Sequence, residues 1–327
     1  MTSSSPSSAA PPTTSGRRLV IGFVVVLLLL AAFLCSGIAT GLLFQLSMGA
    51  ERGAAGLQED EVVVDGVALK VLTRPGAPGA PTALLIHGFA ADKDNWTRFS
   101  KWVPTTWRLV VPDLAGFGDS EHRLDVHHDI RAQTERVHQL LVAENSGPVV
   151  VVGNSMGGHI ASALALLHPQ DVRGLVLIDA AGVTPPELSE VQKAFAAGKN
   201  PLVVEDVADF DRLLALIFVT PPEVPRPVKT FFAERAAKAR EFNEHIFAEF
   251  LERPFLLDGR LGDIHAPTLV IWGENDRVLL PSAAKVFVDG IPGATLSLMP
   301  HTGHAPMIEH PEETARLVTD FVASLPH

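Results

Sequence analysis

The chain has 327 residues, a formal net charge of −11 and a hydrophobic fraction of 47%, enough for one large α/β domain with further segments. The acidic balance argues against nucleic acid as a partner, and a lone cysteine, Cys35, excludes a disulfide framework. Attachment to an anionic lipid surface would therefore rest on an apolar anchor and not on basic patches.

Residues 1–18 begin as a Ser/Pro/Thr/Ala tail without apolar periodicity and read as disordered. Arg17 and Arg18 follow, and then no charged residue occurs between positions 19 and 50. A helix over 19–46 would be roughly 42 Å long, against a bilayer core of about 30 Å, so it would tilt or emerge near Gly37 to Gly41. The apolar run is too long for the core of a cleaved signal peptide, and 19–46 reads as a single transmembrane anchor. With Arg17 and Arg18 before it, the positive-inside rule predicts a cytoplasmic amino terminus and a catalytic domain on the opposite side. Residues 47–60 read as a linker.

From Glu61 the pattern becomes strand, Asp65-Gly66 turn, strand. A buried strand over 83–86 ends in His87-Gly88-Phe89, and a helical stretch spans 96–103. A strand over 109–111 leads into the Gly-rich loop 112–120. His122, His127 and His128 lie among Asp125 and Asp129 and read as a solvated acidic loop, not as a metal site. Residues 129–143 form an amphipathic helix with Ile130, Thr134, Val137, Leu140 and Leu141 on one face.

Four successive valines, 149–152, suit a strand buried on both faces. The helix-like run 160–167 follows, and between them lies Gly153-Asn154-Ser155-Met156-Gly157. This G-x-S-x-G in a strand–turn–helix context is the signature of a nucleophile elbow. Further strands end at Asp179 and Gly273, another covers 296–299, and the last helix starts near Pro311. Strands alternating with helices predict an α/β fold with a mostly parallel sheet covered on both faces, and ligands at its carboxyl edge. The core is assigned to 61–181 and 265–325. Residues 182–264 separate two strands too widely for a connection and read as a helical cap rich in Phe. Most of those Phe residues form the cap's own core; a few, such as Phe218 and Phe231, are candidates for the cleft.

A serine hydroxyl needs an adjacent base. His304, in the loop before the last helix, is the best placed histidine, with His301 as its rival. Asp276, just past a strand end, suits the carboxylate that orients the base; Asp179 and Glu274 are the alternatives. Backbone N–H groups of Phe89 and Met156 suit an oxyanion hole, the second at a helix start that favours negative charge.

The set His87-Gly88-Phe89, Asp113 to Ser120, Gly153 to Gly158, Trp272 to Asp276 and Gly303-His304-Ala305-Pro306 resembles the α/β-hydrolase superfamily across nearly the whole soluble part. Within it, the anchor, the cap and the sequence from His87 to Trp96 are most similar to membrane-bound monoacylglycerol lipases and related bacterial lipases. That resemblance implies hydrolysis of acylglycerols or other carboxylic esters without metal or cofactor. Gly153 to Gly158 also resembles the carbon–carbon bond hydrolases of aromatic ring-fission products. Phe89-Ala90-Ala91 and Ala305 depart from that family, which usually has a Gly/Pro-rich oxyanion loop and a Trp after its catalytic Gly-His. An inactive binding protein on a hydrolase fold is disfavoured because no candidate triad residue is missing.

Overall fold

The computed structural model describes residues 37–326, so the expected tail and most of the expected span, 1–36, lie outside the described residues. An eight-stranded sheet runs in the order β1-β2-β4-β3-β5-β6-β7-β8. Its strands are β1 (Gln58–Val64), β2 (Val67–Arg74), β3 (Thr82–Ile86), β4 (Arg108–Pro112), β5 (Val149–Asn154), β6 (Val172–Ile178), β7 (Thr268–Gly273) and β8 (Thr295–Met299). The β1–β2 and β2–β4 pairs are antiparallel, and every pair from β4 through β8 is parallel.

The valine run shows why the sheet is buried on both sides. Successive side chains of a strand point to opposite faces. Val149 and Val151 join Leu84, Leu175 and Val270 in one core, while Val150 and Val152 join Leu85, Val176 and Ile271 in the other. The first core is closed by α3 (Ile130–Ala143), α4 (Met156–Leu167) and α8 (Ser282–Gly290), through residues such as Val137, Leu164 and Phe287. The second is closed by α2 (Thr97–Ser100) and α10 (Pro311–Ala323), through Phe99, Val318 and Val322. A short α9 (Pro306–Glu309) precedes α10.

Between β6 and β7 the chain leaves the sheet and forms α5 (Glu190–Ala196), α6 (Val207–Ile217) and the long α7 (Arg226–Glu252). Val191, Ile246 and Leu257 from this insertion join the first core.

The stretch expected as a linker, 47–60, is structured. Helix α1 (Gly37–Ala54) runs through its first half, and β1 begins at Gln58. The reason lies in Arg52, which reaches both carboxylate oxygens of the distant Asp94, at 2.7 and 2.6 Å, and also Glu59 within the same stretch at 2.7 Å. Ala55 and Leu57 are buried beyond it. The other end of α1 lies on α7, where Phe44 meets Phe231 and Phe232 at centroid distances of 5.5 and 4.9 Å. Gly41 permits this approach, since a Cβ there would stand 3.0 Å from the Phe231 ring. No helix among the described residues is long and apolar enough to cross a membrane.

Candidate active site

Ser155 sits at the junction of β5 and α4 with φ 56° and ψ −119°, a conformation that a non-glycine residue adopts only when its surroundings enforce it. Its N–H donates to the Ile178 carbonyl at 3.0 Å, and its own carbonyl accepts from Ala181 N–H at 2.9 Å. The turn is tight enough that a Cβ on Gly153 would collide with the Gly157 carbonyl, and one on Gly157 with the Ile86 carbonyl. Those two glycines of the motif are therefore steric requirements.

His304 and Asp276 meet in the loops after β8 and β7. His304 Nδ1 lies 2.8 Å from Asp276 Oδ2, and both residues are buried. Asp276 Oδ1 accepts from the N–H groups of Val278 and Leu279 at 2.8 and 3.1 Å, which fixes the plane of its carboxyl group. His301, the rival base, is exposed, and its carbonyl accepts from the His310 ring instead.

Asp179 is fully buried at the end of β6, where Oδ1 accepts from Gly273 N–H at 2.9 Å. Burial, reinforced by the adjacent Asp276 charge, pushes its carboxyl well above the ordinary carboxylate range. Asp179, Asp276 and His304 offer polar side-chain atoms within 4.8 Å of one another, so the two carboxyls are close neighbours. Glu274, the weaker alternative, is exposed.

The loop after β3 carries Phe89. His87 is wholly buried beneath it, with Nδ1 donating to the Gly88 carbonyl at 2.7 Å and Nε2 accepting from Leu114 N–H at 3.0 Å. Burial holds this imidazole neutral, with its pKa down at about 4. The ring therefore braces the loop and is not a base. Met156 opens α4, so its N–H has no acceptor within the helix.

The stretches Asp113 to Ser120 and His87 to Trp96 belong to one buried ion network. Lys93 Nζ lies 2.7 Å from Asp113 and 2.8 Å from Asp119, and Lys93 N–H donates to Asp113 at 2.7 Å. Burial opposes the ammonium charge, but the two carboxylates outweigh it and hold Lys93 above the usual lysine range. Breaking one partner of such a group is expected to cost about 3–5 kcal/mol.

A cavity of about 310 Å³ opens beside Ser155 and Met156. Phe89, Ile130, Phe195, Phe247, Phe250 and Phe255 give it an apolar lining. The proposed cleft residues Phe218 and Phe231 do not line it. Phe218 is buried at the end of α6, in the second core, and Phe231 packs on α1. Phe231 precedes Phe247 on α7 by roughly 24 Å of helix, so only the carboxyl half of α7 reaches the cleft.

Three further side chains, one at the variable position of the nucleophile-elbow motif and two outside any motif, tie the segments of the site together. Asn154 Nδ2 donates to the carbonyls of Ile178 and His304, each at 3.1 Å, and so ties the Ser155 turn to the His304 loop. Glu309 accepts from Gly303 N–H at 2.8 Å and from Val219 and Thr220 N–H at 3.0 Å, joining that loop to the insertion. His159 Nε2 donates to the Phe255 carbonyl at 2.6 Å, and burial brings its pKa down to about 4. Sequence spacing does not mark these roles, since most of these bonds join segments far apart in the chain.

Comparison with known proteins agrees with this architecture. A lipase 1 of Psychrobacter immobilis is 32% identical over 271 residues, covering 81% of this chain and 84% of the lipase. Monoacylglycerol lipase ABHD6 of Bos taurus is 32% identical over 263 residues, 76% of this chain and 78% of its own. A solved structure described as a membrane phospholipase A, a bacterial virulence factor, superposes with a TM-score of 0.86 at 41% identity, covering 94% of this chain and 98% of that one. The alpha/beta hydrolase family profile matches residues 83–317, and the chain belongs to that family.

Proposed function

We propose that the protein is a membrane-anchored serine hydrolase that cleaves acyl esters of lipids through an acyl-enzyme. Ser155 is the nucleophile, His304 the general base and Asp276 its orienting carboxylate; Phe89 and Met156 N–H groups receive the oxyanion. The observation that carries this reading is the buried 2.8 Å His304–Asp276 contact in a loop tied to Ser155's turn, beside an apolar cavity.

In the first half-reaction His304 takes the proton of Ser155 as the hydroxyl attacks the ester carbonyl. Asp276 stabilises the resulting imidazolium, and the oxyanion is held by N–H groups already in place. The tetrahedral intermediate collapses, and the alcohol leaves with the proton from His304. Water then attacks the acyl-enzyme with the same base, releasing the fatty acid and restoring Ser155.

The cavity and the relatives support a long acyl chain as the group held. Among the described lining residues there is no Lys or Arg, and the phenylalanines suit a methylene chain. A ring-fission dienoate carries a carboxylate, for which this lining offers no cation. The charge-free run of residues 19–50 and the membrane phospholipase A likeness support a bilayer anchor, and Arg17 and Arg18 before that run favour a cytoplasmic amino terminus with the catalytic domain opposite. Residues 61–181 with 265–325 serve as the hydrolase core and 182–264 as a cap over it.

A hydrolysis panel of p-nitrophenyl esters of increasing chain length, monoacylglycerols, lysophospholipids and a ring-fission dienoate tests the substrate class. Preference for long-chain glycerol esters is expected. Preference for the dienoate would replace this reading with carbon–carbon hydrolysis.

A further inference from the structure

His122, His127 and His128 were expected in a solvated loop, yet His128 is fully buried. It lies immediately before Asp129, the N-cap of α3, and faces the cap helix α7. On α7, His245 and Glu249 are one turn apart and share a face, the i, i+4 relation that brings two side chains to one point. We infer that His128, His245 and Glu249 form a binding site for a divalent transition-metal ion of the zinc class, which clamps the cap to the core.

The three residues offer one ligand atom each, all within 4.8 Å of one another. His245 Nε2 stands 3.8 Å from Glu249 Oε1, and the His128 and His245 rings lie 6.4 Å apart at 78°. Neither ring nitrogen of His128 has a hydrogen-bond partner in the protein, and the buried Nε2 of His245 has none either. Buried polar atoms are normally paired, so unpaired imidazole nitrogens converging on one carboxylate ask for a shared electrophile. A metal ion supplies it.

The outer contacts are those expected around such a site. Glu249 is oriented by the His128 backbone N–H and by His127 Nδ1 at 3.1 Å. Two imidazoles and one carboxylate select Zn²⁺ over Ca²⁺ or Mg²⁺, which prefer all-oxygen sets. Positive groups also face this place: Arg136 and Arg253, with His122 close by. Arg136 is paired with Asp65 at 3.4 Å and Arg253 with Asp129 at 2.9 Å, so their charges are partly met elsewhere.

The position gives the ion a consequence. Ile130 lies two residues after His128, Phe247 lies between the α7 ligands, and Phe250 follows Glu249; all three line the cavity beside Ser155. A bound ion would fix the distance between these walls and stabilise the capped state by mass action.

The test uses the full chain in detergent, stripped by chelator and dialysed. Titration with Zn²⁺ should give one tight equivalent and a rise in melting temperature. Co²⁺ in its place should give strong visible absorption bands of low-symmetry nitrogen and oxygen coordination. His245→Ala should abolish both effects, and Glu249→Gln should weaken binding at least about tenfold, as loss of one ligand does. His138→Ala, in a separate cluster with His168 and Asp171, and His304→Ala at the catalytic site should retain the tight equivalent. Unchanged affinity in His245→Ala, loss of the tight equivalent in His138→Ala or His304→Ala, or a wild-type protein that gives neither thermal shift nor Co²⁺ bands, would overturn the proposal. The wild-type Co²⁺ spectrum decides the matter even if a variant fails to fold.

Discussion

His304 Nδ1 contacts Asp276 Oδ2 at 2.8 Å, while Asp179, at the end of the preceding strand, spends Oδ1 on the Gly273 N–H. The two buried carboxyls therefore have different tasks. Asp276→Asn should lower kcat by about 10⁴, because an amide leaves the imidazole in the wrong tautomer. Asp179→Asn keeps an oxygen acceptor for the Gly273 N–H and leaves the His304–Asp276 contact in place, so it should change kcat by less than about tenfold. Steady-state kinetics on one ester compares the two; the reverse order would reassign the acid to Asp179.

Glu309 holds both the histidine loop and the start of the segment after α6, through Gly303, Val219 and Thr220. Glu309→Gln keeps the size but removes the charge from three hydrogen bonds. A loss of about 2–3 kcal/mol in stability is expected, since bonds to charged groups contribute about 1.5–3 kcal/mol each and a glutamine oxygen recovers part. Denaturant unfolding checks the stability, and kcat should fall in parallel because the anchored Gly303 directly precedes His304.

Phe247 and Phe250 bring the long helix α7 to the wall of the cavity, whose volume is about 310 Å³. Phe247→Ala enlarges it and should move the preferred acyl chain to longer lengths. Each additional buried methylene contributes about 0.8 kcal/mol, so kcat/KM for a chain longer by two carbons should rise roughly tenfold relative to the short one. An ester series assayed on both proteins measures the ratio.

Acid should weaken the fold through His87. Its folded pKa is about 4 against an ordinary 6.5, so between those values the unfolded chain binds the proton and the folded one does not. Stability from this group is complete above pH 6.5 and falls as pH drops towards 4, by about 3 kcal/mol in all. Asp179, whose folded pKa is raised, acts with the opposite sign above pH 3.8. Comparing wild type with His87→Gln therefore isolates the histidine. The variant should lose less stability between pH 7 and pH 4.5 in urea melts.

Much of this architecture is legible in the sequence because it rests on local patterns. Four valines in a row fit only a strand covered on both sides, and the two cores divide them by parity. Glycines flanking Ser155 announce a turn too tight for side chains. Long-range choices are less legible. Periodicity finds the helix around Phe231 and Phe247 but not which of its ends meets the cleft, and α1 takes Phe231 instead. Residues 47–60 look like a linker by polarity, yet Arg52 finds Asp94, 42 positions along the chain. His128 looks solvated among acidic neighbours, and only packing against α7 buries it.

The central claim is that Ser155 is the acylated nucleophile. Incubating the full chain with a fluorophosphonate probe and mapping the adduct by peptide mass spectrometry tests it directly. The adduct should sit on Ser155 and be abolished in Ser155→Ala, with labelling in His304→Ala slower by several orders of magnitude. No adduct on the active wild-type protein, or an adduct that persists in Ser155→Ala, would contradict the account.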